Sequence, residues 1–242
     1  MRFGAYMARK KTTRTQDDVR EYPCYSIEDV VEYIGVPVRT LRSWVSGYSR
    51  RTLGGVRKIP PIIPPADPKK NLLSFFNLVE AQVLASTRER NIGVRKIRRA
   101  VEFLREKEGE DRPLLTCIFH TALQDVFVQQ LGKTNLRNPL NVSKYGQYAF
   151  KPILKKYLSR IERDTAGLPT RIYPMKAGKP RQGKVITIYP FVASGKPSIR
   201  KSGISAEVIW RRKKEGETAA SLARDFKLRP SEIKAAITYF AA

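Results

Sequence analysis

Histidine is almost missing from this chain: His120 stands alone among 242 residues, with only two cysteines, Cys24 and Cys117. Zinc centres draw their ligands from those two residue types, so one His and two widely separated Cys exclude the usual four-ligand site. The thiols read as two reduced cysteines, and His120, within LLTCIFHTAL, reads as a strand-surface or satisfied core residue rather than a catalyst. Also lacking are a Ser/His/Asp set, an acidic cluster for metal-dependent cleavage and a phosphate-cradling glycine loop; the SGKPS at 194–198 has the wrong spacing for one. No apolar run is long enough to span a bilayer, and there is no lipidation signal. Acid is scarce as well: 22 Asp and Glu face 47 Lys and Arg, a net charge of +25. A surplus of that size points to a polyanion partner, nucleic acid first, with no cofactor, no metal and no membrane role. The opening MRFGAYMARKKTTRTQDD is basic and polar without the apolar middle of a secretory signal, which predicts a disordered arm over 1–24 in a cytoplasmic protein.

What is present is most coherent over residues 25–44, YSIEDVVEYIGVPVRTLRSW. Ser26 suits a helix start, Glu28 and Asp29 complement the positive end of the dipole, and Ile27, Val30, Val31 and Ile34 form one apolar stripe. Gly35 supplies a left-handed stop, Val36 turns inward, and Pro37 fits the first turn of a second helix. Val38, Leu41 and Val45 face the first helix in this reading, leaving Arg39, Thr40, Arg42 and Ser43 outward. Two short helices about a tight turn, the second carrying Arg, Ser and Thr, suit major-groove readout. A two-helix piece of core with a solvated basic face fits the same pattern.

Glycines and prolines then punctuate VSGYSRRTLGGVRKIPPIIPPADPKK, which predicts a β-ribbon wing placing Arg50, Arg51, Arg57 and Lys58 along phosphates. Residues 71–90 carry an amphipathic helix capped by Ser74, and 94–107 a second with Arg95, Lys96, Arg98 and Arg99 outward; the two are expected as an antiparallel pair. Composition changes at KEGEDRP, 107–113. Beyond it, 114–130 reads as a β-hairpin and 144–163 as a helix with Phe150, Ile153, Leu154, Tyr157, Leu158 and Ile161 inward. Residues 170–175 and 185–189 are expected to pair as a second hairpin. At the far end, 204–214, 219–226 and 230–240 form a three-helix, helix-turn-helix-like unit, with Val208 and Ile209 on the apolar face of the first and Pro230 opening the last. Lys227 occupies its turn where glycine is usual, and Lys234 is the only cation on its last helix, so a protein-binding or dimerising role competes with DNA contact there.

As a set these residues resemble a bacterial family. YSIEDVVEYIGVPVRTLRSW followed by PPIIPPADPKKNLLSFFNLVEAQVL resembles the MerR-like reader at the front of certain VapB-type antitoxins. ITIYPFVASGKPSIRKSGISAEVIWRRKKEGETAASLARDFKLRPSEIKAAITYF is similar to the antitoxin domain that accompanies it. The resemblance implies a type II toxin–antitoxin module: inhibition of a PIN-domain ribonuclease toxin, and repression of the operon by binding operator DNA. PIN nucleases carry metal-binding carboxylates that a cation can occupy, and Arg200, Lys201, Arg211 and Arg212 are the candidates. A transcription regulator without a toxin is the alternative, and a recombinase or nuclease fragment a third reading. The expected fold is α+β: a winged helix-turn-helix with a helical pair over 25–110, a β-hairpin/helix middle over 111–190, and the three-helix unit over 191–242. A homodimer is expected, since such readers match two half-sites by their own two-fold symmetry.

Overall fold

The computed structural model describes residues 18–88, 93–109, 111–116, 159–176 and 183–241. Among them the chain forms seven α-helices and three two-stranded antiparallel sheets, the expected α+β architecture. The first helix, α1 (Ile27–Ile34), begins in a reciprocal capping box: Ser26 Oγ accepts from the Asp29 amide at 3.0 Å, and Asp29 Oδ2 accepts from the Ser26 amide at 2.8 Å. Gly35, φ +68°, ends it, and its amide donates to Val31 at 2.8 Å. The second helix, α2 (Val38–Val45), buries Leu41, Trp44 and Val45. Two expectations shift here. Pro37 lies one residue outside α2, its carbonyl accepting from Thr40 and Leu41; Val38 is exposed, because Trp44 completes the inward stripe in its place. The Trp44 carbonyl, orphaned at the end of α2, accepts from the Ile62 and Ile63 amides and so fixes the proline-rich return segment.

Helix α3 (Phe75–Arg88) is the axis of the first core. Thirteen of its fourteen residues are buried, whereas the sequence pattern predicts an amphipathic helix with a wet face. The reason is that its polar side chains are all employed internally. Asn77 bridges Ser74, Ala66, Pro64 and Glu80; Gln82 exchanges two hydrogen bonds with the Met175 backbone; Ser86 and Thr87 bond back to their own helix. Burial pushes the Glu80 carboxyl up, and Arg112, 3.2 Å away, pulls against it with Asn77. Helix α4 (Val94–Glu108) buries Ile97, Ala100, Val101 and Leu104 in the same core. Arg95 and Arg99 are exposed as expected, but Arg98 is half-buried.

Short strands account for the remaining differences. The predicted helix through 163 does not extend that far: Ile161–Arg163 is a strand, β3, antiparallel to β4 (Pro169–Ile172) around a turn in which Asp164 accepts from Leu168 and Gly167 takes φ +80°. Residues 170–175 and 185–189 therefore do not make a hairpin of their own. Their backbones pair at the single Ile172–Ile188 bridge, while the strand β5 (Ile186–Thr187) pairs with β6 (Ser198–Ile199). Pro113–Leu115 is a 3₁₀ turn rather than a strand. The rest of the predicted 114–130 hairpin, Cys117, His120 and most of the 144–163 helix lie outside the described residues, as does most of the 1–24 arm. Cys24 is a free, exposed thiol.

The C-terminal helices are α5 (Ala206–Lys214), α6 (Ala219–Asp225) and α7 (Pro230–Phe240). Thr218 caps α6 by accepting from the Ser221 amide, and at the start of α7 the Glu232 carboxylate accepts from the Arg229 amide and guanidinium, at 3.0 Å each. Lys227 adopts φ +52° in the turn between them, the left-handed conformation that glycine would give without strain. Ile209, Leu222, Ile233, Ala236 and Phe240 form a second core, whereas Val208 points outward.

Two tyrosine hydroxyls join residues 193–240 to α1 and the segment just before it. Tyr239 donates to the Tyr33 carbonyl at 2.7 Å, satisfying one of the orphan acceptors at the end of α1. Tyr25 donates to the Gly195 carbonyl at 2.9 Å, and Gly195, φ +73°, has no room for a Cβ beside that hydroxyl. Arg20 closes the other side: it binds Asp18 and Asp164 at 2.7 Å each and lies over the Phe76 ring.

Tyr239→Phe leaves the Tyr33 carbonyl buried without its partner and should lower unfolding stability by about 1–3 kcal/mol. An unchanged urea midpoint would contradict the assigned role. Burial alone would raise the Asp164 carboxyl, but hydrogen bonds from Arg20 and the Leu168 amide hold it below its ordinary value, and Asp18 behaves likewise. Carboxyls that protonate at lower pH when folded stabilise fully above about pH 4 and lose that contribution as pH falls through their folded values. Asp164→Asn should therefore flatten the fall of the urea midpoint between pH 5 and pH 3, and an equally steep fall would count against the clamp.

Candidate nucleic-acid interface

Between Glu32 and Asp67 the chain has no acidic residue and six cations: Arg39, Arg42, Arg50, Arg51, Arg57 and Lys58. The fold displays this stretch as α2 and the wing. The wing is a hairpin of β1 (Tyr48–Thr52) and β2 (Gly55–Ile59), with every residue but Ile59 exposed. At its base Gly47, φ +70°, passes so close to the Ile59 carbonyl oxygen that any Cβ would collide with it. From behind, Arg98 donates to the Pro60 carbonyl at 2.6 Å and Arg105 to the Ile62 carbonyl at 3.1 Å, so α4 sets the angle at which the ribbon leaves the core. Desolvation holds the Arg98 guanidinium below its ordinary value, and the Glu102 charge opposes that. That inward duty explains why Arg98 is not on the outer face.

The predicted reading residues differ in freedom. Arg39 is exposed on α2. Arg42 is exposed too and meets Glu28 at 3.4 Å, a solvent-facing pair of small net worth that an incoming phosphate or base edge can displace. Thr40 accepts from Arg88 at 2.7 Å, and Ser43 donates to the Thr40 carbonyl at 2.7 Å, so both hydroxyls brace α2 as well as lining its outer side. On the wing, Arg50 stands directly opposite Arg57, and Arg51 opposite Val56. Like charges facing each other across a ribbon destabilise it, and no carboxylate lies within ion-pair distance among the described residues. An anion lying between the two guanidinium groups would relieve that repulsion.

At the other end of the chain the four cations chosen from the resemblance are mostly engaged. Arg200 meets Glu162 at 3.2 Å and lies over Tyr173; Arg211 meets Glu207 at 2.5 Å; Arg212 binds both Glu217 and Asp225 and lies over Phe226. Lys201 is exposed and makes none of these pairs. Among the described residues no group of three or more His, Cys, Asp or Glu could hold a metal ion, and no helix is long and apolar enough to cross a membrane.

The acid-free window was readable from the sequence alone as a second signal beside the helix pattern. The opposed arginines were not, because they depend on hairpin register.

Residues 23–101 match a family model described as "Putative DNA-binding HTH domain", and residues 186–240 match a "Protein of unknown function (DUF433)". The chain is 25% identical over 233 residues to "Putative antitoxin VapB45" of Mycobacterium tuberculosis, covering 92% of this chain and 95% of that protein. The crystal structure of Rv2018 from Mycobacterium tuberculosis has the same fold at 22% identity, with a TM-score of 0.65 over 89% of this chain and 97% of that one. The chain thus shares the fold of that solved structure and is similar over nearly its whole length to a putative antitoxin, with a helix-turn-helix match at its N-terminal end.

Arg57→Thr should relieve the Arg50 repulsion and raise the stability of the free protein by roughly 0.2–1 kcal/mol, while weakening its hold on duplex DNA. Stability that falls, or DNA binding that does not change, would show that the opposed pair is not built for an anion.

Proposed function

We propose that this protein is the antitoxin of a type II toxin–antitoxin module. It binds operator DNA through α2 and the wing to repress its own operon, and inhibits a PIN-domain ribonuclease toxin through its C-terminal half. The observation that carries the DNA half is the acid-free stretch with six cations, shown on one helix and one ribbon that its neighbours hold in place. Arg39 and Arg42 take base edges, Thr40 and Ser43 take bases or phosphates nearby, and Arg50, Arg51 and Lys58 take phosphates. The working form is a homodimer, two readers set on two half-sites. In this reading residues 25–110 act as the DNA-binding part, 111–190 as a connecting region and 191–242 as the toxin-binding part, within the cytoplasm.

Support for the toxin half is the likeness over nearly the whole chain to an antitoxin. Of its candidates, Arg200, Arg211 and Arg212 are engaged within the chain and shape the surface, which leaves the exposed Lys201, whose charge also acts on Glu232, as the cation best placed to approach a nuclease carboxylate. That engagement also favours a second reading, a transcription regulator with no toxin.

With DNA from upstream of its own gene, Arg39→Ala and Arg42→Ala should each cost about ten- to a hundredfold in specific affinity and little on random duplex. Arg50→Ala and Arg51→Ala should weaken both DNAs alike and each lower the salt slope by about 1. Equal losses on both DNAs for all four variants would overturn the division of roles. Recovery of a stoichiometric small nuclease from nuclease-treated lysate would support the antitoxin reading, and DNA-dependent material alone would favour the plain regulator.

A further inference from the structure

Leu53 sits at the tip of the wing with a relative exposure of 112%, the most exposed large hydrophobic side chain among the described residues; Val56, at 67%, lies just behind it. Turn geometry does not require an apolar residue there. Gly55, φ +109°, supplies the unusual backbone conformation, and position 53 has an ordinary negative φ that any polar residue could adopt. Nothing within the described chain covers the tip, and the ribbon behind it carries four cations and no acid.

The spacing of charge and apolar surface along the ribbon matches one occupant. From the opposed Arg50 and Arg57 the hairpin runs two more residues on each strand to Thr52 and Gly55 before turning. At about 3.3–3.4 Å per residue that is a reach of roughly 7 Å. The minor groove of B-DNA is about 7.5 Å deep and lined at its rims by phosphates. A ribbon entering it tip first therefore sets its arginine pair at the rims while Leu53 arrives at the floor. Two strands about 4.8 Å apart, with side chains, are wider than a groove of about 6 Å, so entry requires the groove to open.

Resting on the DNA reading above, we propose that Leu53, backed by Val56, is an apolar wedge that enters the minor groove beside the site held by α2 and unstacks a base step. The wing then has two separable parts, cations that grip phosphate and a tip that deforms the duplex. Deformation makes the energy of the complex depend on the stiffness of the step at the tip, which confers sequence preference where no base edge is read.

The test uses the full chain and duplexes of the DNA upstream of its own gene, with 2-aminopurine placed at successive positions, and donor–acceptor dyes at the ends to report bending. The unchanged protein should raise fluorescence at one step beside the protected site and shorten the end-to-end distance. Leu53→Ala and Leu53→Ser should abolish both signals and bind about tenfold more weakly with an unaltered salt slope, since no charge is removed. Leu53 variants that match the unchanged protein in fluorescence, bending and affinity, while Arg39→Ala and Arg42→Ala still impair binding, would overturn the wedge and leave the reader intact. Failure of the unchanged protein to bind would overturn both.

Discussion

Complete burial of α3 is the constraint that orders this molecule. A helix with thirteen covered residues has to satisfy Asn77, Glu80 and Gln82 from its surroundings, because an unpartnered polar group in that position costs more than most single contacts return. Each of those side chains therefore recruits a distant part of the chain: the proline-rich segment through Pro64 and Ala66, the 3₁₀ region through Arg112, and the backbone after β4 through Met175. Helix α1 lies against it, and its last residue, Arg88, reaches across to Thr40. The reader is thus mounted on a polar network inside an otherwise apolar core, which fixes one arrangement where hydrophobic packing alone would tolerate several.

From that mounting the charge distribution follows. Acidic residues are concentrated where they hold the fold, at Asp18, Asp164, Glu80, Glu162, Glu207, Glu217 and Glu232, each paired with an arginine. They are excluded from α2 and the wing. The effect is to divide the 47 Lys and Arg into a share neutralised by carboxylates within the fold and a share displayed outward.

How much of this the sequence disclosed depended on whether the signal was local. Ser26, Gly35, Thr218 and Pro230 act through neighbours three or four positions away, so their caps and turns were readable, and so was the left-handed place taken by Lys227. The outward set Arg39, Arg42, Arg50 and Arg51 was readable for the same reason, although what those residues touch is a matter of proposal. Strand partners beyond the wing were not. Ile161–Arg163 is three residues long, and its pairing with Pro169–Ile172 rests on Asp164 and a glycine turn rather than on any alternation strong enough to outweigh a helical period running into it. Periodicity likewise could not separate a half-wet α3 from a buried one, since that depends on what the distant segments bring to Asn77 and Gln82. Val38 was misplaced because Trp44 competes for the same inward stripe, and only packing decides between them.

The bond from Tyr239 to the Tyr33 carbonyl spans 206 residues. A ribosome finishes α1 long before it makes the hydroxyl that completes it, so for most of its synthesis the N-terminal reader carries an unfilled acceptor at the end of its first helix. The Tyr33 carbonyl gains its partner within the chain only once α7 has been made and has docked. A product truncated before α7 keeps the basic surface of α2 and the wing but lacks the hydroxyl that satisfies the end of α1.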